Sequence, residues 1–132
     1  MATYKLLFVD QEKEDVALMQ ELLPNDQFEI ITLDNSHLEP ELSVLTRNIP
    51  DAILLNAGLA VDNTCRLIRK IRSHHSLRHL LIIVLSVFDP SFISRDDLLA
   101  EADDVIQKPY SYRELTWLVD RIKKGLAFRD AR

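Results

Sequence analysis

Apolar runs alternate with segments of helical periodicity along the chain. Five short runs are rich in apolar residues, and those at 5–9, 51–55 and 80–85 are nearly continuous, which is typical of strands buried on both faces of a parallel sheet. Between these runs, apolar residues recur at the spacing of amphipathic helices. The predicted strands are 5–9, 28–33, 51–55, 80–85 and 104–107, and the predicted helices are 12–23, 38–47, 62–74, a segment beginning at Asp89 and Pro90, and 111–128.

Strands and helices therefore follow one another in the order βαβαβαβαβα. Connections as short as these require right-handed crossovers onto a parallel sheet. The predicted fold class is α/β, a flavodoxin-like (βα)5 doubly wound sheet of five parallel strands in the order 2-1-3-4-5. No internal repeat or low-complexity segment interrupts the pattern, so residues 1–132 are predicted to form a single domain.

Polar residues stand at the ends of four predicted strands. In doubly wound sheets, ligands bind beyond the carboxyl ends of the central strands. These positions are therefore predicted to converge on one crevice. They are Asp10 and Gln11 after the first strand, Asn56 after the third, Ser86 after the fourth and Lys108 after the fifth.

Composition excludes several classes of function. A net charge of −5 with only 16 Lys and Arg residues argues against direct binding of nucleic acid. The two glycines are too few for a glycine-rich phosphate loop. The single cysteine, Cys65, excludes an internal disulfide and fits a reducing compartment. The chain has no apolar run long enough for a membrane span and no signal peptide, so a cytoplasmic protein is expected.

The strand-end residues and several local phrases resemble the receiver domain of two-component response regulators. The phrases are Phe8-Val9-Asp10, Pro50-Asp51-Ala52-Ile53-Leu54-Leu55, Ala102-Asp103-Asp104 and Lys108-Pro109-Tyr110, and the likeness extends from Lys5 to about Leu126. The resemblance implies an acidic pair after strand 1, a phospho-accepting Asp at strand 3, a Ser or Thr at strand 4 and a Lys before Pro at strand 5. The matching residues here are Asp10, Gln11, Asn56, Ser86 and Lys108.

Two departures from the family fall on its reactive positions. Asn56 carries an amide where the family has the acceptor carboxylate, and an amide nitrogen is not a nucleophile. Gln11 replaces one of the acids that would hold Mg²⁺, a cation that prefers carboxylates and water. The charges of Asp10 and Lys108 alone cancel, so the site is predicted to need no cofactor and to bind Mg²⁺ weakly or not at all. Asp10 and Glu12 are the remaining weak metal candidates, although Glu12 also suits a solvated first helical turn.

Three further departures agree with a degenerate site. Ala60, Glu101 and Val105 stand where the family usually has Pro, Gly and a switch aromatic residue. The combined changes predict a pseudo-receiver that signals through protein contacts, without phosphorylation and without enzymatic activity. Its partner would be a histidine kinase, an output domain or another protein of a two-component system or phosphorelay.

Several of these residues also have structural explanations. Ser86 could simply satisfy a strand-end amide, and Lys108 could pair with Asp10 and bind no external phosphate. His74, His75 and His79 suit a solvated helix end better than a metal site, because neighbouring helical residues point in different directions. Cys65 lies at a helical core position, which favours a small apolar filler.

The last predicted helix has two faces. Tyr112, Leu115, Val119, Ile122 and Leu126 form a stripe suited to packing on the sheet. The other side mixes aromatic and cationic residues, a composition typical of interaction hot spots, unless Trp117 folds onto neighbouring aliphatic stems. This predicted interaction face comprises Tyr110, Arg113, Trp117, Arg121, Lys124 and Phe128. In the family, helix 4, strand 5 and helix 5 form the usual dimer and output surface, so the resemblance implies a second copy as one occupant.

Two other functions stay open at this stage. A regulatory module could bind a small anion or cofactor at the strand ends through Lys108 and Ser86. Alternatively, a phosphorylatable receiver could use Ser86 as its acceptor, although no general base is evident beside it.

Overall fold

One parallel sheet organises the molecule. The computed structural model describes residues 3–9, 13–24, 26–33, 43–56, 61–86 and 101–131. Its strands are β1 (Tyr4–Val9), β2 (Phe28–Leu33), β3 (Ala52–Asn56), β4 (Leu81–Ser86) and β5 (Asp104–Gln107), in the order β2-β1-β3-β4-β5. The predicted fold class is confirmed, and each predicted strand boundary lies within one residue of the observed one.

Helices cover both faces of this sheet. They are α1 (Lys13–Leu22), α2 (Ser43–Arg47), α3 (Val61–Ser73) and a last helix (Tyr112–Asp130), with a 3₁₀ turn at His75–Leu77. Ser111 caps the last helix, because its Oγ accepts a hydrogen bond from the Glu114 amide at 3.1 Å. The helix predicted to begin at Asp89 lies outside the described residues. None of the described helices is long and apolar enough to cross a bilayer.

Alternating strand residues build two hydrophobic layers, as the pleat of a strand requires. One layer contains Leu7, Val9, Ile53 and Leu55 of the sheet together with α3, and it includes Cys65, Leu67, Ile68 and Ile71. The opposite layer contains Leu6, Phe8 and Leu54 together with α1 and the last helix. The predicted inner face of α3 is confirmed, and Cys65 is the buried apolar filler that its helical position predicts.

The last helix differs from its predicted orientation at two positions. Leu115, Val119, Ile122 and Leu126 are buried as predicted, but Leu118 is buried too. Tyr112 is 60% exposed, so its assignment to the inner stripe is wrong. Tyr112 lies in the first helical turn, where it lines a cleft facing α1 and does not pack on the sheet.

The last helix lies close to β4 at Gly125. A Cβ atom placed there would lie 2.9 Å from Cδ2 of Leu81, closer than real Cβ contacts allow without a shift of that side chain. Glycine removes this contact at the cost of helix propensity. The close approach holds the helix against the sheet.

Candidate functional site at the carboxyl edge of the sheet

Three of the predicted site residues lie together at the carboxyl edge. Asn56 ends β3 and is half-buried, and Ser86 ends β4 with 1% of its surface exposed. Asn56 is in register with Leu85, and Ser86 is in register with Gln107. Because neighbouring strands lie about 4.8 Å apart, these ends are adjacent. The backbones of Asn56 and Ser86 therefore end side by side at this edge.

Lys108 joins this site through its backbone. Its amide donates a hydrogen bond of 2.6 Å to the Ser86 carbonyl, which continues the β4–β5 pairing by one residue. The residue is only 9% exposed. The structure thus brings Asn56, Ser86 and Lys108 to the same edge.

The first strand supplies the remaining predicted residues. Val9, the last residue of β1, is in register with Leu55, one residue before Asn56. Asp10, Gln11 and Glu12 follow directly in the chain but lie outside the described residues. The pairing of Asp10 with Lys108, the place of Gln11 in the pocket and the weak metal binding by Asp10 and Glu12 stay predictions.

Asp15 is a site residue that the sequence analysis missed. One of its carboxylate oxygens lies 4.0 Å from Nζ of Lys108, and the two side chains are 26% and 11% exposed. Asp15 lies in the acidic first turn of α1, where the helix dipole favours a carboxylate without any other role. The available signal was its position five residues after Asp10, since a helix that follows a strand end begins beside that end. The charge count from Asp10 and Lys108 alone is therefore incomplete.

A cleft of about 270 Å³ opens between α1 and the start of the last helix. Asp15 and Lys108 lie in its wall, and Tyr110 and Tyr112 contribute rings that are 70% and 60% exposed. The complete lining is Asp15, Leu18, Lys108, Pro109, Tyr110, Ser111, Tyr112 and Leu115. The cleft gives solvent a path to the Lys108 side chain.

The groups at this edge set what chemistry is available. Asn56 offers an amide, Ser86 a buried hydroxyl and Lys108 an ammonium beside a carboxylate. Within the described ranges, no three His, Cys, Asp or Glu side chains cluster as metal ligands would. His74, His75 and His79 are exposed beyond the end of α3, where His74 Nδ1 lies 3.0 Å from Ser76 Oγ.

Val105 shows how the switch position is occupied here. Its side chain belongs to the same hydrophobic layer as Cys65 and Ile82, and 8% of the residue is exposed. An aliphatic side chain in that layer has no hydroxyl to present at the surface. The family's aromatic switch has no counterpart at this position.

All six residues of the predicted interaction face are exposed. Trp117 is 57% exposed, and the guanidinium of Arg113 lies 5.2 Å from its ring centroid in a cation–π arrangement. Arg121 pairs with Asp104 of β5, and Lys124 pairs with Asp120 at 2.9 Å. The face therefore mixes exposed rings with charges that are partly neutralised within the chain.

At the opposite, amino edge, two Arg–Asp clasps tie helix ends to strands. In the first clasp, the Asp51 carboxylate accepts from the Lys5 amide at 2.7 Å and from Arg129 at 3.0 Å. Arg129 also donates to the Asp51 carbonyl at 2.6 Å. Burial acts to lower the pKa of Arg129, but hydrogen bonds to Asp51 and Asp130 outweigh burial and raise it above its ordinary value.

The second clasp joins α3 to β4 and β5. The Asp103 carboxylate accepts from the Ile82 amide and from Arg72, both at 2.8 Å. Arg72 also donates to three backbone carbonyls, those of Arg78, Leu80 and Glu101. Each clasp therefore links the end of a helix to strands of the sheet.

Comparison with solved structures identifies the fold. A response regulator from Thermotoga maritima is 24% identical, with 95% of this chain and 98% of that chain covered and a TM-score of 0.72. A putative response regulator from Chloroflexus aurantiacus is 26% identical, with the same coverage and a TM-score of 0.70. A Mn²⁺-bound response regulator is 21% identical, with 91% of each chain covered and a TM-score of 0.64.

Sequence comparison alone adds nothing, since no protein-family model and no curated protein matches the chain. The structural neighbours are response regulators, and the chain has the fold of their receiver domains. The resemblance predicted from the strand-end residues is thus confirmed at the level of fold.

Proposed function

We propose that this chain is a receiver-like signalling domain whose phosphorylation site is degenerate and which acts through protein contacts. The observation that carries the proposal is the position of Asn56 at the end of β3, on the carboxyl edge and beside β4. In the receiver family that the chain resembles, a phospho-accepting carboxylate occupies this position. An amide has neither the charge nor the nucleophilicity for that transfer.

The residues present do not fit a bound Mg²⁺ ion well. Mg²⁺ prefers carboxylate and water oxygens in a near-octahedral arrangement. The described residues at this edge offer the Asn56 amide and the Ser86 hydroxyl, while the Asp15 carboxylate lies beside an ammonium. Gln11 adds a second neutral amide to the sequence where the family has an acid. We expect weak Mg²⁺ binding or none, and we assign no step to the ion.

The interaction face of the last helix would then provide the output. Trp117 with Arg113 over its ring presents a large, half-exposed aromatic surface, and Tyr110 and Phe128 are exposed beside it. Aromatic rings and Arg are the residues that contribute most binding energy when a partner buries them. A kinase, an output domain or a second copy of the chain could occupy this face.

A phosphorylation assay tests the proposal. The wild-type chain is incubated with acetyl phosphate and Mg²⁺ and weighed intact by mass spectrometry at neutral pH, and its mass should stay unchanged. The double variant Gln11→Asp/Asn56→Asp restores the acidic set on the same fold and serves as the positive control. A phosphoryl group on the wild-type chain would contradict the proposal, and its loss in Ser86→Ala would identify Ser86 as the acceptor.

The output surface has its own probe. Trp117 is the only tryptophan in the chain, so intrinsic fluorescence reports its burial directly. A blue shift on raising the protein concentration, absent in Arg113→Ala, would assign the face to a second copy. A blue shift only on adding a purified kinase or output domain would assign it to that partner.

A further inference from the structure

The ion pair between Asp15 and Lys108 gives the carboxyl edge an internal ligand. We propose that the Asp15 carboxylate occupies Lys108 in the way an external phosphate would, and so closes this site to anions. The inference rests on the proposed function, because it concerns the same degenerate site. The inference goes further by naming Asp15, a residue of α1 and not of a strand end, as the group that controls access of anions to Lys108.

Backbone geometry fixes where the Lys108 side chain begins. The Lys108 amide is bound to the Ser86 carbonyl, and Pro109 restricts the chain immediately afterwards. The Lys108 side chain is 11% exposed, so it lies among protein atoms and does not extend into solvent. A shielded ammonium requires nearby acceptors, because burial of an unpaired charge is costly. Asp15 provides such a group from the facing helix.

Charge then decides which anions can enter. The cleft of about 270 Å³ is large enough for a phosphate ion and leads to both side chains. An arriving anion meets the attraction of Lys108 and the repulsion of Asp15, whose charged groups lie 4.0 Å apart. At such separations, one carboxylate changes the affinity for a neighbouring anion by about tenfold or more. The wild-type cleft should therefore reject phosphate although it contains a lysine.

Removing the carboxylate should open the site. The probe is inorganic phosphate, titrated into the full chain and followed by isothermal calorimetry at constant ionic strength. Asp15→Asn should bind phosphate at least about tenfold more tightly than the wild-type chain. Asp15→Glu retains the charge and should stay closed. Glu14→Gln removes an exposed carboxylate from the same helical turn and should also leave affinity unchanged.

A second substitution assigns the gain to Lys108. Adding Lys108→Met to Asp15→Asn should abolish the acquired phosphate binding, with the fold checked by circular dichroism. Equal phosphate affinity in the wild-type chain and Asp15→Asn would overturn the inference. So would a gain that persists in Asp15→Asn/Lys108→Met, or one that Glu14→Gln reproduces.

This result is separable from the phosphorylation assay. Phosphate binding measures access to Lys108, whereas intact mass measures covalent transfer to an acceptor. Phosphorylation of the wild-type chain would refute the degenerate site and leave the gating result unaffected. Unchanged phosphate affinity in Asp15→Asn would refute the gating role while the mass of the wild-type chain stayed the same.

Discussion

The two edges of the sheet use charged residues in opposite ways. At the amino edge, Asp51 and Asp103 each accept a backbone hydrogen bond from a neighbouring strand and a second bond from an arginine at a helix end. At the carboxyl edge, an amide stands at the end of β3, and the described ion pair joins Lys108 to α1. The difference teaches that charged side chains at the amino edge connect elements of the fold, whereas β3 ends at the carboxyl edge on a neutral amide, the residue on which the proposed function depends.

The largest effect is expected from breaking the clasp around Arg72. Its side chain is 18% exposed and donates to Asp103 and to three backbone carbonyls. Arg72→Met leaves these acceptors without their donor, and it should lower the free energy of unfolding by about 3 kcal/mol. Urea unfolding measures the change. Arg69→Met, at an exposed position of the same helix, is the control, and an equal loss in both variants would refute the special role of Arg72.

A somewhat smaller effect should follow from breaking the clasp at Arg129. Arg129→Met removes the bonds to the carboxylate and carbonyl of Asp51, and should cost about 2 kcal/mol. Amide exchange should accelerate in the last turns of the last helix, because their link to β3 is lost. Arg121→Met breaks a more exposed pair with Asp104 and should cost less than about 1 kcal/mol. If Arg129→Met and Arg121→Met lowered the free energy of unfolding by a similar amount, the clasp would be no stronger than the exposed pair.

At the carboxyl edge, substitution should change ligand binding more than stability. Asn56→Asp alone should not produce tight Mg²⁺ binding, because Gln11 remains neutral. The double variant Gln11→Asp/Asn56→Asp should bind Mg²⁺ and melt at a higher temperature when the ion is present, since a ligand that binds the native state stabilises it. Thermal melts with and without Mg²⁺ compare the variants. Tight binding by Asn56→Asp alone would show that the second acid is dispensable.

The smallest effect concerns pH at the amino edge, where Tyr4 donates a 2.5 Å hydrogen bond to Asp130. This bond and Arg129 lower the pKa of Asp130 below its ordinary value of 3.8. The ionised Asp130 therefore stabilises the fold above pH 3.8, and this contribution is lost as the pH falls through the lowered pKa. The same bond raises the pKa of Tyr4 above 10.0, so that contribution is present below 10.0 and is lost at higher pH.

Tyr4→Phe should therefore flatten the stability profile at both ends of the pH range while changing little near neutrality. Unfolding midpoints measured across pH test this expectation. Tyr112→Phe is the matched control, because Tyr112 lies at the other end of the last helix. A profile for Tyr4→Phe that coincides with the wild-type profile would contradict the predicted coupling.

The sequence predicted the fold well because the inner strands β1, β3 and β4 are largely buried on both faces. Such strands appear as apolar runs with few interruptions, and the edge strands β2 and β5 followed from shorter apolar stretches and the alternation with helices. All five strands were located to within one residue. The inner face of α3 was equally clear from its periodicity. The inner face of the last helix was predicted less accurately. Tyr112 has the spacing of the buried stripe, but it lies in the first helical turn, which faces the cleft. Spacing shows which residues share a helix face, but not how far the covered surface extends.

The sites depended on contacts that sequence patterns cannot supply. Asn56, Ser86 and Lys108 could be placed at one edge from the sequence because strand ends meet there in a parallel sheet, while their role as a site stays a prediction. Asp15 was missed because its partner is set by how α1 packs. Both clasps were missed as well, since Arg129 and Arg72 meet their aspartates across 78 and 31 residues of chain. Long-range ion pairs leave no local signal in a single sequence.

The central claim is that the carboxyl edge no longer accepts a metal ion or a phosphoryl group. Its most direct test is an NMR titration of the uniformly ¹⁵N-labelled wild-type chain with Mg²⁺ and then with beryllofluoride, a mimic of the phosphoryl group. The account predicts no saturable shift of the Asn56, Ser86 and Lys108 amide signals. Saturable shifts of these signals, with the amino-edge amides of Lys5 and Ile82 unmoved, would show a working site and contradict the account.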